Sequence, residues 1–345
     1  MIDLNAYLRG VFSFLLLAAA VCGLASCKDA REPAESAHSG ETSVSTPEPA
    51  SPPPANARQL LPDASYQNGF YIRSQDGSLP EEKRMKGVFL PNFGHEPSWA
   101  IAQWNSGLCL WDSRVLDGRK ISDGIAKSFT AAEGGHLRLH LNTIPLYDGA
   151  PAAYADWPHL LLETEDIAFD GSDSDSVWLT GAADKIVVSL DLRLTQFEQV
   201  SVSGDAARAA QFLCYLYLKS QTGDDFVWFG LQLFDSRGPQ GEYLALDEGS
   251  GRMIFSLSTH DVYGGGQHPR VQRGAAADGE WYHVEVDIRP YLDRLAATGR
   301  KDGFLKSVRS AEDFHISGTN IGWEIIGSFD ACMEIKNYSV VSYVN

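Results

Sequence analysis

In the stretch KIVVSLDLRL, residues 185–194, Ile186, Val188, Leu190, Leu192 and Leu194 alternate with Lys185, Ser189, Asp191 and Arg193. Successive side chains of a strand point to opposite faces, so such a segment buries one face and wets the other. YHVEVDI repeats the pattern, with Tyr282, Val284, Val286 and Ile288 inward, and GGHLRLHL sets Leu137, Leu139 and Leu141 against His136, Arg138 and His140. A helix would scatter these apolar positions around its circumference, and a parallel sheet covered on both faces would read as an unbroken apolar run. One-sided alternation therefore predicts two antiparallel sheets packed face to face.

Further strands are expected near 87–91, 99–104, 108–112, 159–169, 211–219, 226–235, 242–247, 252–258, 314–326 and 329–343, most of them separated by Gly, Asp, Ser or Pro clusters. RPYLDRLAATGR, residues 289–300, reads as the one short helix, with Pro290 near its start and Gly299 near its stop. The expected fold is all-β: a two-layer antiparallel β-sandwich of jelly-roll type over residues 59–345. Its first part, 59–125, is more irregular and supplies outer strands and loops.

The N-terminal part has a different character. Arg9 precedes the apolar run VFSFLLLAAAV, residues 11–21, which is too short for a stable bilayer span and suits the core of an export signal. Leu24, Ala25, Ser26 and Cys27 resemble the lipobox of bacterial lipoproteins. The resemblance implies a signal peptide over residues 1–26 and a diacylated Cys27 as the mature N-terminus; an ordinary secretory signal cut near Ala25 is the alternative. Two acyl chains would hold the protein on a membrane where one binds only marginally. By resemblance to lipoproteins of bacteria with two membranes, Lys28 rather than Asp after the cysteine implies the bacterial outer membrane, with Asp29 one step later pointing the other way and the periplasmic or surface face left open. Residues 27–58 are rich in Pro, Ser, Ala, Thr and Glu and cannot offset their own ordering entropy. They read as a disordered tether, with roughly 3.1 Å per residue and about 90 Å of reach in the extended limit.

A formal charge of −17 and the lack of a basic stripe argue against a nucleic-acid partner. A polyanionic sugar would need a local basic patch, whereas neutral glycans and peptides stay open. Beyond Cys27 only Cys109, Cys214 and Cys332 remain, too few for a disulfide scaffold. One disulfide is compatible with the count and none is required.

The runs DFVWFGLQLFDSR, GEYLALDEGSGRMIFSL, GEWYHVEVDIRPYL and NIGWEIIGSFDACMEIKNYSVV resemble, in strand order and ending, bacterial jelly-roll modules related to carbohydrate-binding domains and concanavalin-like lectins. Glycan binding needs aromatic faces for sugar rings and amides or carboxylates for hydroxyls. Tyr215 and Tyr217 share one face of their strand, and Trp228 and Gln232 one face of theirs; aligned, they would make a platform, with Trp323 beside Glu324, or Trp157 beside Asp156, at its rim. Packing of the same aromatics into the core is the competing reading.

Enzymatic readings fare less well. Concanavalin-like retaining glycosidases carry Glu-x-Asp-x-x-Glu on one strand, but Pro290 follows Glu285 and Asp287 where the acid/base should stand, and Glu165 and Ala168 spoil the run after Glu163. A jelly-roll lyase could use His136, Arg138 and His140, a face that offers zinc only two ligands. Asp170, Asp173 and Asp175 could hold a structural Ca²⁺, though not in EF-hand order; no other cofactor is expected. The resulting expectation is a lipid-anchored envelope protein that binds a glycan without cleaving it. The alternatives are a polysaccharide lyase or glycoside hydrolase, and a structural or protein-docking lipoprotein.

Overall fold

A computed structural model of the chain describes residues 56–344 except 74–84, 93, 105–109, 111–114, 133–134, 153–156, 165–182, 205–207, 248–249 and 272–276. The apolar run, Cys27 and nearly all of the tether lie outside the described residues, as do Cys109 and the Asp170, Asp173 and Asp175 loop.

Among the described residues seventeen strands form two sheets. The eight-stranded sheet runs β15 (Tyr282–Asp287), β10 (Lys185–Val200), β17 (Ser328–Tyr343), β8 (Leu137–Asn142), β7 (Lys127–Ala131), β6 (Lys120–Ser122) and β5 (Val115–Asp117), with β1 (Ala57–Gln59) paired to β17. The nine-stranded sheet runs β13 (Tyr243–Asp247), β14 (Arg252–Leu257), β12 (Phe226–Asp235), β11 (Ala209–Ser220), β16 (Phe314–Ile326), β9 (His159–Thr164), β4 (Trp99–Trp104), β2 (Phe70–Arg73) and β3 (Met85–Phe89). Pairing is antiparallel except between β12 and β14 and between β2 and β4. The chain is thus a jelly-roll β-sandwich with two parallel contacts that alternation could not reveal.

Ile186, Val188, Leu190, Leu192 and Leu194 are fully buried in the core between the sheets, joined by Leu137, Leu139 and Leu141. Buried polar bonds tie the layers: the Trp323 indole N–H donates to Leu139 O at 3.0 Å, and the Tyr338 hydroxyl lies 2.7 Å from Thr319 Oγ1 and 3.3 Å from Cys214 Sγ. Cys214 and Cys332 are free thiols, and burial pushes Cys214 up to about 11. Three helices are present among the described residues. α1 (Ile144–Tyr147) and α2 (Thr259–Val262) are single turns, too short for periodicity to show. The third, α3 (Arg289–Lys301), is the expected one and buries Leu292, Leu295 and Ala296. The segment 59–125 supplies edges to both sheets through β2 to β6.

Candidate functional site

Alternation gives each sheet an outer face, and the outer face of the nine-stranded sheet collects the aromatic and polar groups. Register runs one row across eight strands: Tyr243, Ser256, Gly230, Tyr215, Asn320, Glu163, Ala100 and Tyr71. At the usual strand spacing the row is about 34 Å long. Paired residues point to the same side, so these eight positions form one transverse line.

Its centre is built around Gly230. A Cβ there would stand 2.3 Å from Ser256 Oγ and 2.7 Å from Tyr215 Cε1, so only glycine lets the Tyr215 ring lie across β12 toward β14. The Tyr215 and Tyr243 phenols lie together beside Ser256, whose buried Oγ has no hydrogen-bond partner, and burial pushes both phenols up from their ordinary range, keeping them protonated. Beside them the buried Gln232 amide donates to Gly241 O at 2.9 Å and Leu257 O at 2.7 Å. Its Oε1 has no hydrogen-bond partner, and neither has Oδ1 of the buried Asn320. Two buried amide oxygens and the Ser256 hydroxyl thus sit unanswered on one face. Most buried acceptors are paired, so each such exception calls for an explanation.

Next to the row, Tyr217 pairs with Trp228, whose ring packs edge-on against Tyr217 at 4.8 Å and Phe226 at 4.7 Å. Tyr215 and Tyr217 are buried, while Trp228 and Phe226 are only half-buried. The rings that reach solvent are therefore the indole and a phenylalanine that sequence reasoning passed over. Trp228 Nε1 donates to Ser250 Oγ at 3.2 Å, which fixes its orientation.

A parallel row near one end holds Asp235, Gln211, Glu324, His159 and Trp104. Asp235 accepts from Gln211 Nε2 at 2.9 Å, Arg237 N at 2.8 Å and Arg237 Nη2 at 2.6 Å; Glu324 Oε2 stands 3.6 Å from His159 Nε2. Glu163, almost wholly buried, pairs with Arg73 at 2.6 Å, and Tyr71 donates to Glu96.

Two readings from sequence are corrected. Trp323 is no rim residue: it is fully buried on the core side of β16, edge-on to Phe212 and Phe234. Its neighbour Glu324 takes the outward position. His136, Arg138 and His140 lie on the outer face of the other sheet and do not converge. His136 Nε2 faces Glu334 at 3.2 Å, His140 Nε2 faces Asp330 at 2.6 Å, and Arg138 Nε donates to Cys332 Sγ at 2.9 Å. Each is engaged by β17, in a ladder of pairings with no tyrosine among its contacts. Among the described residues no three His, Cys, Asp or Glu side chains are grouped to hold a metal. Trp157 is half-buried in a satellite cluster with Tyr147, Ala152, Ala209 and Ile326. Glu285 is exposed on the edge strand of the eight-stranded sheet, and Asp287 Oδ1 accepts from Ile186 N and Arg289 N. A separate cleft of about 490 Å³, with Ser65, Tyr66, Leu90, Asn92 and Arg119 in its wall, shares no residue with either row.

No protein-family model matches the chain, and no curated protein matches it. Among solved structures it is similar to endoglucanase 3 of family GH12 from Trichoderma harzianum, at 9% identity over 72% of this chain and 91% of that one, with a TM-score of 0.35. It is also similar to a family 12 xyloglucanase from Bacillus licheniformis (10% identity, 70% and 99% covered, TM-score 0.34). The xyloglucanase domain of NopAA from Sinorhizobium fredii, in complex with cellobiose, is similar too (9% identity, 71% and 98% covered, TM-score 0.30). Likeness of this degree carries no argument about chemistry, which rests on this chain's own residues.

Proposed function

We propose that this protein is an envelope lipoprotein, acylated at Cys27 and held on a tether, whose nine-stranded sheet binds a neutral glycan along the Tyr243 to Tyr71 row without cleaving it. The carrying observation is the pair of unanswered buried acceptors, Gln232 Oε1 and Asn320 Oδ1, beside the Tyr215, Tyr243 and Ser256 hydroxyls and the half-buried Trp228. Sugar hydroxyls are donors that satisfy such oxygens, and pyranose faces stack on an indole. The test is binding to a neutral glycan array. Trp228→Ala abolishes the signal, and Asn320→Ala weakens it about tenfold, the worth of a hydrogen bond. Asn320→Ala leaves the unliganded fold as stable as before, because it removes an acceptor that had no partner. Loss of stability with unchanged binding would contradict the reading.

One observation favours hydrolysis as a second reading. Asp235 and Glu324 flank Gln211 in register, with Cα atoms about 10 Å apart across two strand spacings, so two carboxylates share one outer face as glycoside hydrolysis requires. Against it, both Asp235 oxygens are already committed to Gln211 and Arg237. Release of reducing ends from a bound glycan, lost in Glu324→Gln with binding retained, would select this reading over the first.

A further inference from the structure

The cleft of about 490 Å³ that shares no residue with the glycan rows is walled by both sheets. Leu90 and Asn92, just after β3, and Tyr66, ahead of β2, line one side; Ala131 of β7, Leu137 of β8 and Arg119 of the β5–β6 turn line the other. Ala131 and Leu137 pair across β7 and β8, and both are buried, as is Tyr66. The Tyr66 ring is seated against Phe70 at 5.7 Å and Trp99 at 5.3 Å, so the floor of the cleft is the outer layer of the core.

The Tyr66 side is built in advance of any ligand. Asp63 accepts from the Gln67 and Asn68 amides at 2.9 and 2.8 Å, Tyr66 N donates to Asp63 O at 2.8 Å, and Trp99 Nε1 donates to Pro62 O at 2.9 Å. These bonds hold Tyr66 at a φ of 56°, and Leu90 also stands at 56°. Bulky side chains rarely adopt that left-handed backbone, and two of them on one cleft direct attention to it as a site.

Arg119 is the only charged side chain in the wall among the described residues. Its Nε donates to Ala131 O, which fixes the guanidinium at the rim and leaves its terminal nitrogens without a partner among the described residues. The described carboxylates that flank the wall in sequence are otherwise engaged. Asp63 has both oxygens taken by the amides above, Glu96 accepts from Tyr71, and Asp117 sits opposite Lys120 in the β5–β6 hairpin. Charges are screened over about 8 Å at physiological ionic strength, so an anion in the cleft meets Arg119 rather than the net charge of −17.

We propose that this cleft is a second ligand site, for a small carboxylic acid with a compact apolar body: the body lies on Tyr66, Ala131 and Leu137, and the carboxylate is received by the terminal nitrogens of Arg119. An apolar concavity of a few hundred cubic ångströms with a few convergent polar groups is the usual form of a small-molecule site. A guanidinium fork matches a planar carboxylate, and the apolar floor gives the hydroxyls of a sugar no partner.

The experiment is calorimetric titration of the full chain in detergent, near 0.15 M salt, with 4-phenylbutyrate and with its uncharged amide, each corrected for titration into detergent alone. The acid binds and the amide binds at least tenfold more weakly. Arg119→Gln weakens binding of the acid about tenfold or more, as loss of a charge-assisted contact requires. Ala132→Phe, which fills the cleft from its wall, abolishes binding and tests the site without touching Arg119. Trp228→Ala leaves binding unchanged, which separates this site from the neutral-glycan row. The proposal is overturned by no binding of the acid, by equal binding of the amide, by indifference to Arg119→Gln or Ala132→Phe, or by binding that Trp228→Ala abolishes.

Discussion

Gly230 decides whether the row exists at all. A methyl group there would collide with Ser256 Oγ and the Tyr215 ring, so Gly230→Ala turns Tyr215 out of its seat and costs about 1–3 kcal/mol of stability, the usual penalty of overpacking. Urea denaturation measures the loss, and glycan affinity falls with it. Asp225 makes a contrasting, purely structural case. Burial alone would push its carboxyl up, but hydrogen bonds from the Ser307 hydroxyl and from the Ser307 and Lys306 amides, at 2.7, 2.5 and 2.7 Å, hold it below the usual carboxylate range. The unfolded chain then binds this proton more readily than the folded one. Its stabilising share is complete above the unfolded value of about 3.9 and is lost as pH falls through the lower folded value. Asp225→Asn is expected to cost about 1–3 kcal/mol at neutral pH, the range for hydrogen bonds to a charged group, with the gap to wild type narrowing in acid. A gap independent of pH would contradict it.

Within single strands, alternation marked which residues share a face, and the buried series Ile186 to Leu194 and Leu137 to Leu141 follow from it directly. It also brought Tyr217 and Trp228 together, because β11 and β12 are sequential neighbours that pair. It could not say which face is inside when both carry large apolar groups, so an indole beside a carboxylate, as in Trp323 and Glu324, reads equally as rim or as core. Trp323→Phe therefore removes a core hydrogen bond and volume, and is expected to lower stability by about 2–4 kcal/mol while glycan affinity stays constant. Local irregularity hid more: the register shift beside Leu233 turns Phe234 into the core while Gln232 stays outward. Asn320, Glu163, Ser256, Tyr243 and Tyr71 had no local signal, since their meeting depends on register between strands far apart in sequence.

The whole molecule presents two chemically distinct sites on one sandwich. One is a line of hydroxyls, amides and rings suited to uncharged sugars; the other is an apolar cleft with a guanidinium at its rim. A tether anchored at Cys27 would carry both away from the membrane, and mass spectrometry of the mature N-terminus checks that acylation. The reading as a whole depends on the transverse row, and nuclear magnetic resonance titration with a neutral oligosaccharide selected from the array addresses it most directly. The account predicts that the side-chain amides of Asn320 and Gln232 and the indole of Trp228 shift together at saturation, while the Trp323 indole does not. Saturable binding that leaves Asn320 and Gln232 unmoved would contradict it.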